Sequence, residues 1–286
     1  MQINKLTIIG TGLIGGSLAL ALKQQAACKL ICGYDTDHDS LRQAQELGVI
    51  DEHSTDLAEA VQGAEVVVLA VPVIATVALL QKLAGLISAQ TIVTDVASAK
   101  AAVVAAAREH LRQHLPNFVP AHPIAGREQG GVQAGSADLF ADHALIITPL
   151  QETAATAKDR ISAMWQQTGA RVVELPVQQH DEILAATSHL PHVLAYALVD
   201  CLAAMQDQRE IFAYSAGGLA DFSRIASSSP QMWCDVCLAN REPLLRVLAA
   251  FDEHLQELKQ AINESDAERL LQVFSRAKQA RDKHTS

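Results

Sequence analysis

Short hydrophobic runs alternate with longer stretches of helical periodicity through the first 175 residues of the chain. Almost every position in these runs is apolar, which indicates strands that are buried on both faces. Buried strands separated by helices are typical of βαβ units with right-handed crossovers. The pattern predicts an α/β fold with a doubly wound, mostly parallel sheet, whose strands cover residues 6–9, 30–34, 66–71, 91–96, 118–121, 145–148 and 172–175.

The strand signal ends at Pro176, and the rest of the chain has the periodicity of helices. This change predicts two domains, an α/β domain over residues 1–176 and an all-α domain over residues 177–286. One helix of the second domain carries apolar residues spaced by three and four, at Leu244, Leu248, Phe251, Leu255, Leu258 and Ile262. The spacing is compatible both with packing inside the domain and with a dimer interface. Ser265 and Glu268 predict a capping box before the last helix.

Composition and charge narrow the classes of partner. Apolar residues make up 49% of the chain, charged residues 19%, and the formal net charge is −10. An acidic surface without a long run of Lys or Arg repels phosphate backbones and anionic lipids, which argues against nucleic acid and membranes as partners. The five cysteines are odd in number and lack a repeated spacing, so we expect a reducing, cytoplasmic location. Cys234 and Cys237 have no second pair, which favours structural cysteines over a metal site.

A glycine-rich motif follows the first predicted strand and opens a helix. Its residues are Gly10, Thr11, Gly12, Leu13, Ile14 and Gly15. Such glycines permit a tight turn and a close approach of a pyrophosphate to the helix N-terminus, and Asp35, after the second strand, can accept hydrogen bonds from a ribose. The motif predicts a Rossmann-type dinucleotide site, the alternative being a structural turn. Asp35 and Asp37 place negative charge where the 2′-phosphate of NADP would lie, so we expect NAD rather than NADP.

Two residues near the ends of later strands are candidates for chemistry. Ser98 lies in the segment TDVASAK at residues 94–100, where it could cap the following helix, serve as an active-site hydroxyl, or do both. His122 lies in the segment AHPIAGRE at residues 121–128. A histidine at the ligand-binding edge of such a sheet can be a general base, and the alternative is a structural histidine.

The predicted helical domain carries further polar motifs. His180-Asp181 comes first, followed by SHLPH at residues 188–192 and GGLADFSRIA at residues 217–226. His189 and His192, with His180, could bind a metal, but hydride transfer to a nicotinamide needs none, and we expect no metal site. The guanidinium of Arg224 matches a carboxylate, and the alternative is a salt bridge to Asp221.

Taken in order, the segments GTGLIGGS, TDVASAK, HPIAGRE, SHLPH and GGLADFSRIASSSPQMW resemble the prephenate/arogenate dehydrogenase family of tyrosine biosynthesis. The resemblance implies that His122 is the catalytic histidine and that Ser98 is its hydroxyl partner. It also implies a set of substrate-binding residues, namely His189, His192, Asp221, Arg224, Glu128 and Trp233. Arg127 departs from the family pattern, in which we expect a small residue such as Thr.

The reaction that the resemblance implies explains these residue types. Hydride leaves a cyclohexadienol for NAD while His122 withdraws the hydroxyl proton, and the ring carboxylate is then lost as the ring becomes aromatic. Turnover should fall at low pH along an ionisation in the ordinary histidine range. The resemblance further implies a homodimer through the helical domain and leaves prephenate and arogenate both open as substrates. We expect no mutase segment before residue 5 and no regulatory domain after the helices.

Two other functional hypotheses explain part of the sequence. A β-hydroxyacid dehydrogenase or a pyrroline-carboxylate reductase would also have a Rossmann domain followed by helices, but neither explains HPIAGRE and SHLPH together. A non-catalytic NAD-sensing protein would be expected to carry a DNA-binding module or a basic face, and the sequence indicates neither.

Overall fold

The computed structural model describes residues 2–127, 129–205, 212–214 and 217–284. The first sheet in these ranges is built from β1 (Ile3–Ile9), β2 (Cys28–Tyr34), β3 (Glu52–His53), β4 (Val66–Leu69), β5 (Ile92–Asp95) and β6 (Phe118–Val119). The strands have the order β3-β2-β1-β4-β5-β6, and all neighbours are parallel. This order reverses between β1 and β4, as it does in dinucleotide-binding folds. The predicted α/β, doubly wound fold is therefore confirmed.

The carboxyl ends of the central strands lie side by side. Ile9 pairs with Tyr34 on one side and with Leu69 on the other, and Leu69 in turn pairs with Asp95. The loops that follow these strands therefore leave the sheet along a common edge, at the point where the strand order reverses. Ligands of open α/β sheets bind in the crevice at this position.

The central strands are buried on both faces, which explains their uninterrupted apolar sequence. In β4, Val66 and Val68 belong to one hydrophobic cluster, whereas Val67 and Leu69 belong to another on the opposite face. Helices cover the sheet, as expected for buried parallel strands. They are α1 (Leu13–Gln24), α2 (His38–Glu46), α3 (Leu57–Val61), α4 (Val73–Leu83), α5 (Ala101–His110) and α6 (Ala155–Gln166).

A second, smaller sheet departs from the sequence prediction. The run at residues 118–121, which we predicted as one strand, divides at Pro120 into β6 and β7 (Ala121–Pro123). Proline has no N–H to donate and interrupts the ladder. β7 pairs antiparallel with β8 (Ala144–Ile147), which pairs parallel with β9 (Arg171–Glu174). After Pro120 the chain therefore enters the second sheet, and His122 lies in the middle of β7.

After Pro176 the described residues form helices, as predicted. The first are α7 (Val177–Leu184), a π-helical turn (Ala185–His189), α8 (Leu190–Ala203), α9 (Gly217–Ser223), a 3-10 turn (Arg224–Ser227) and α10 (Pro230–Ala239). The SHLPH motif thus spans the change from the π-helical turn to α8. Such turns are often found at functional sites. Within the described ranges, no helix has the length and apolar character to span a bilayer.

The chain separates into two compact units, residues 1–241 and residues 242–286. The second unit contains α12 (Ala267–His284) and nearly all of α11 (Arg241–Asn263). The predicted capping box before α12 is wrong. Ser265 has a φ of +56°, and the side chain of Asp266 instead accepts a hydrogen bond from the N–H of Arg269 at 3.0 Å. The predicted domain boundary between residues 176 and 177 stays a prediction.

Candidate active site

The glycine motif forms the turn between β1 and α1. Gly10 has a φ of +98°, and a side chain there would collide with the carbonyl oxygen of Ala70 at the end of β4. A side chain at Gly15 would collide with the carbonyl oxygen of Gly10. Gly12 differs, because a Cβ atom there would meet nothing within 4 Å. Two glycines are thus required by packing, and the third leaves open space beside the N-terminus of α1.

The residues around this turn suit a dinucleotide. Gly12 is the N-cap of α1, which has no side-chain cap and no acidic residue in its first turn, where Leu13 and Ile14 lie. Asp35, after β2, accepts hydrogen bonds from the N–H groups of Thr11 at 3.0 Å and Asp37 at 3.1 Å. Its carboxylate is therefore fixed next to the glycine turn, as ribose binding requires. The residues present fit NAD.

A buried ion pair joins the end of β5 to the start of β7. Lys100 and Asp95 have no solvent-exposed side-chain surface, and they bond to each other. Lys100 Nζ also donates to the carbonyl of Ala121 at 2.7 Å, and the N–H of Ala121 donates to Asp95 at 3.3 Å. Burial lowers the pKa of Lys100, and the charge of Asp95 opposes that effect. These contacts fix the residue next to His122.

His122 is the first member of a buried chain of hydrogen bonds. Its Nδ1 lies 2.9 Å from Nε2 of His180, and Nδ1 of His180 lies 2.7 Å from a carboxylate oxygen of Asp181. Since a carboxylate only accepts, His180 donates from Nδ1 and, when neutral, accepts at Nε2. His122 must then donate from Nδ1. In neutral His122 this leaves Nε2 without a proton and able to accept one.

Asp181 also caps α5, which corrects one alternative for Ser98. The two carboxylate oxygens of Asp181 accept from the N–H groups of Lys100 and Ala101, both at 2.8 Å. Lys100 is the N-cap of α5, and no side-chain hydrogen bond comes from the N-cap itself. Ser98 is half-buried in the preceding loop and does not cap the helix. Its hydroxyl is therefore not committed to that role.

His189 and His192 lie on either side of the start of α8 and contact Trp233 of α10. The ring of His192 stacks on Trp233 with centroids 3.6 Å apart, and the ring of His189 meets Trp233 edge-on at 6.1 Å. Asn240 donates to Nδ1 of His189 at 3.0 Å and to the carbonyl of Asp181 at 2.8 Å. Neutral His189 therefore carries its proton on Nε2. Trp233 Nε1 and His189 Nε2 are buried without a hydrogen-bond partner among the described residues.

The electrostatics keep these imidazoles neutral. Burial, and then the neighbouring His180, Lys100 and His189, hold the pKa of His122 well below the ordinary value of 6.5. Burial likewise lowers the pKa of His189 to about 4 and also lowers that of His192. The charge of Asp181 and the backbone of Ser98 oppose this lowering of the His189 pKa. The pKa of His122 therefore lies below the ordinary histidine range that the sequence suggested.

The remaining predicted residues lie further along the chain. Asp221 is in α9 and Arg224 is in the following 3-10 turn, and both are exposed. This segment packs against α8, and the hydroxyl of Tyr196 on α8 donates to the carbonyl of Ser228 at 2.7 Å. Glu128 lies outside the described residues. Arg127, the departure from the family pattern, is exposed and donates to the carbonyl of Ala134 at 3.4 Å.

Sequence reasoning missed three members of this cluster. His180 was considered only as a metal ligand, but the described ranges contain no cluster of three or more His, Cys, Asp or Glu side chains arranged to hold a metal ion. Asp181 was noted beside His180 but was given no role, and Asn240 was not noted. The adjacent His180-Asp181 pair was the available signal, because a carboxylate next to a histidine often orients its ring. No local signal marked Asn240, which is brought to the site by the fold.

Family models cover most of the chain. The nucleotide-binding domain of prephenate dehydrogenase matches residues 18–174, and its dimerization domain matches residues 176–276. The chain is 37% identical to a cyclohexadienyl dehydrogenase of Zymomonas mobilis, covering 96% of this chain and 94% of the relative. It is 36% identical to a prephenate dehydrogenase of Bacillus subtilis, covering 96% of this chain and 74% of the relative.

Solved structures agree with these matches. A prephenate dehydrogenase from Aquifex aeolicus, in complex with hydroxyphenyl propionate and NAD+, superposes with a TM-score of 0.93 at 33% identity and 99% coverage of both chains. Synechocystis arogenate dehydrogenase superposes with a TM-score of 0.81 at 27% identity, covering 98% of this chain and all of the other. The predicted resemblance is confirmed, and the chain belongs to the prephenate dehydrogenase family.

Proposed function

We propose that this enzyme oxidatively decarboxylates prephenate, arogenate, or both, with NAD as the hydride acceptor, as a step of tyrosine biosynthesis. Family membership and the fit of the glycine turn to a dinucleotide support this activity. The observation that carries the proposal is the state of His122. The hydrogen bond from its Nδ1 to His180 leaves Nε2 ready to accept a proton.

The chain's own residues account for the steps of the reaction. His122 Nε2 takes the proton of the ring hydroxyl as the carbon that bears it loses hydride, which the nicotinamide of bound NAD accepts. The carbon becomes a ring carbonyl that is conjugated with the ring double bonds. The bond between the ring and its carboxylate then breaks, and its electron pair moves into the ring towards the carbonyl oxygen. Carbon dioxide leaves, and the aromatic ring oxygen, left as a phenolate, takes a proton back from His122 to become a phenol. The product is 4-hydroxyphenylpyruvate from prephenate or tyrosine from arogenate.

Ser98 and the helical segments supply the remaining binding groups. Ser98 has a hydroxyl that is not used as a helix cap, and we assign it a hydrogen bond to the substrate hydroxyl or to His122. His189 offers a donor at Nε2, and His192, whose Nδ1 donates to the carbonyl of Ser188 at 2.8 Å, offers an acceptor at Nε2. Trp233 contacts both rings. This donor and acceptor pair suits a polar substrate.

Charged residues complete the proposed substrate site. A dianionic substrate needs local cations because the net charge of the chain is −10. Arg224 is the residue we assign to a substrate carboxylate, since its planar guanidinium can bond two oxygens at once. Asp221, Glu128 and Trp233 are assigned to the same site from the family pattern.

Assembly and location are also proposals. The matched dimerization domain and the exposed apolar side chains of the second unit support a homodimer formed through the helical region. The exposed side chains include Leu255, Ile262, Leu271 and Phe274. All five cysteines are free thiols, which supports a cytoplasmic location. We retain residues 1–176 as the dinucleotide-binding domain and residues 177–286 as the substrate and dimerisation domain.

The activity is tested by mixing purified protein with NAD and either prephenate or arogenate. Reduced nicotinamide and carbon dioxide should appear in equal amounts with at least one of the two substrates. The ratio of the two kcat/KM values then identifies the preferred one. The control is His122→Asn, which should bind NAD normally but turn over slowly. An absence of reduced nicotinamide with both substrates, in a preparation that binds NAD, would contradict the proposal.

A further inference from the structure

In the proposed reaction neither His180 nor Asp181 touches the substrate, although both are buried beside the base. The side chain of His180 has no exposed surface, and that of Asp181 is 2% exposed. Each polar atom of their side chains is used. His180 bonds His122 at one ring nitrogen and Asp181 at the other, and both oxygens of Asp181 accept N–H groups of α5. Burying polar groups costs free energy, so a buried chain of hydrogen-bonded polar side chains is expected to have a structural or catalytic role.

The geometry fixes which proton lies on which atom. Burial raises the pKa of Asp181, but the hydrogen bonds from His180, Lys100 and Ala101 together outweigh burial and lower that pKa, so the carboxylate is ionised near neutrality. An ionised carboxylate only accepts, which sets the direction of the two hydrogen bonds that follow. An isolated imidazole without such a partner is free to exchange its tautomers. The chain from Asp181 removes that freedom from His122.

We propose that His180 and Asp181 are positioning residues, which hold His122 in its Nδ1–H tautomer and stabilise the charge that it gains on accepting the substrate proton. The inference rests on the proposed role of His122 as the base. It is the logic by which a carboxylate orients the imidazole of a hydrolase triad, extended here by a second imidazole. The proton transferred to His122 is held on Nε2 until it returns to the phenolate oxygen of the product, and no proton needs to reach Asp181.

This arrangement answers a difficulty that burial creates. Burial, and then positive charge on His180, Lys100 or His189, disfavours the protonated form of His122, and a base that resists protonation is a poor one. His180 opposes protonation of His122 only when it is itself charged, whereas neutral His180 accepts a hydrogen bond from His122 at Nε2. Imidazolium formation at His122 makes its hydrogen bond to Nε2 of His180 charge-assisted, and the other ring nitrogen of His180 donates to the Asp181 carboxylate. The positive charge is thereby stabilised by a buried anion at the far end of the chain.

The alternative is a purely structural role, in which the chain only ties α7 to α5. Two substitutions at His180 separate the alternatives because the amide of Gln reaches the position of Nε2, whereas the amide of Asn matches Nδ1. His180→Gln keeps an acceptor for His122 and loses the contact to Asp181. His180→Asn keeps the contact to Asp181 and loses the one to His122. Both leave the Asp181 cap of α5 in place.

The first measurement is the tautomer of His122 in the free, full-length protein, read from the 15N chemical shifts of its ring in a long-range 1H–15N NMR spectrum. His122→Asn identifies the signals. The wild type should show the Nδ1–H form, His180→Gln should retain it, and His180→Asn should move the population towards the Nε2–H form. A wild-type spectrum with the Nε2–H form, or identical spectra for both variants, would overturn the proposal.

The second measurement is steady-state kinetics with NAD and the preferred substrate. His180→Asn should lower kcat on the order of 100-fold and His180→Gln on the order of 10-fold, with KM and NAD affinity nearly unchanged. A structural role predicts instead that both variants lose activity in proportion to their unfolding. Normal kcat in both His180 variants, with His122→Asn inactive, would remove the positioning role and leave the proposed function intact. Normal kcat in His122→Asn would remove the proposed base itself.

Discussion

Replacing Lys100 with Met should destabilise the protein strongly, because it leaves the charge of Asp95 buried without its partner. Both side chains have no exposed surface, so water cannot replace the lost ammonium group. The change also removes the hydrogen bond from Lys100 Nζ to the carbonyl of Ala121. Breaking a buried pair from one side typically costs about 3–5 kcal/mol, a large part of the roughly 5–15 kcal/mol that stabilises an ordinary fold.

The assay is urea unfolding followed by far-UV circular dichroism, with Asp95→Asn as the matched second change. Lys100→Met alone should lower the free energy of unfolding by about 3–5 kcal/mol. In the double variant the neutral amide no longer carries a buried charge, and its single oxygen can still accept from the N–H of Ala97 or from that of Ala121, which bond different oxygens of the Asp95 carboxylate. The double variant should therefore be more stable than Lys100→Met by about 1–3 kcal/mol.

The same substitution links the ion pair to the site. Ala121 precedes His122, so loss of the Lys100 contact should also lower kcat while NAD affinity stays near normal, since the glycine turn is not touched. A cost below about 1 kcal/mol for Lys100→Met, or costs of the two single changes that simply add, would refute the reasoning.

Three other substitutions have defined outcomes. Asp35→Ser should reduce the preference for NAD over NADP in kcat/KM by about tenfold or more, since it removes the charge facing a 2′-phosphate. An unchanged ratio of the two kcat/KM values would mean that Asp35 only fixes the backbone of Thr11. Arg224→Ala should raise KM about 10- to 150-fold with NAD affinity intact, as expected for loss of a charge-assisted hydrogen bond; an unchanged KM contradicts the assignment. The pKa of His189 falls from 6.5 to about 4 on folding. The unfolded chain therefore binds the proton first, and stability should fall by up to about 3 kcal/mol between pH 6.5 and pH 4, less so in His189→Gln, as measured by urea unfolding.

Much of the fold could be predicted from local sequence because the central strands are buried on both faces. Their apolar runs and the intervening helices predicted the order of elements, and the glycine turn marked the switch point. β3 escaped notice because its two residues, Glu52 and His53, carry no apolar signal. The separate sheet that begins at β7 escaped notice because hydrophobic pattern cannot say which strands pair. Pro120 was the local clue to that break.

The site was predicted unevenly for a related reason. The glycine motif follows β1 directly, and His122 lies within β7, so a local sequence pattern marks both. The residues that control His122 come from elsewhere in the chain, since His180 belongs to α7 and Lys100 precedes α5. Their contacts span long sequence separations, and no local pattern reports them. The low pKa of His122 also depends on burial, which only the folded chain creates.

The pH dependence of kcat/KM for prephenate, measured for the wild type and for His122→Asn, tests the central claim most directly. The base must be neutral to accept a proton, so wild-type activity should be lost as pH falls through the pKa of His122. Because burial lowers that pKa, the acid limb should lie below the ordinary histidine range. His122→Asn should lower turnover by roughly 100- to 10,000-fold and abolish the limb, while His192→Asn should preserve it. Near-normal turnover in His122→Asn, with its acid limb intact, would contradict the account.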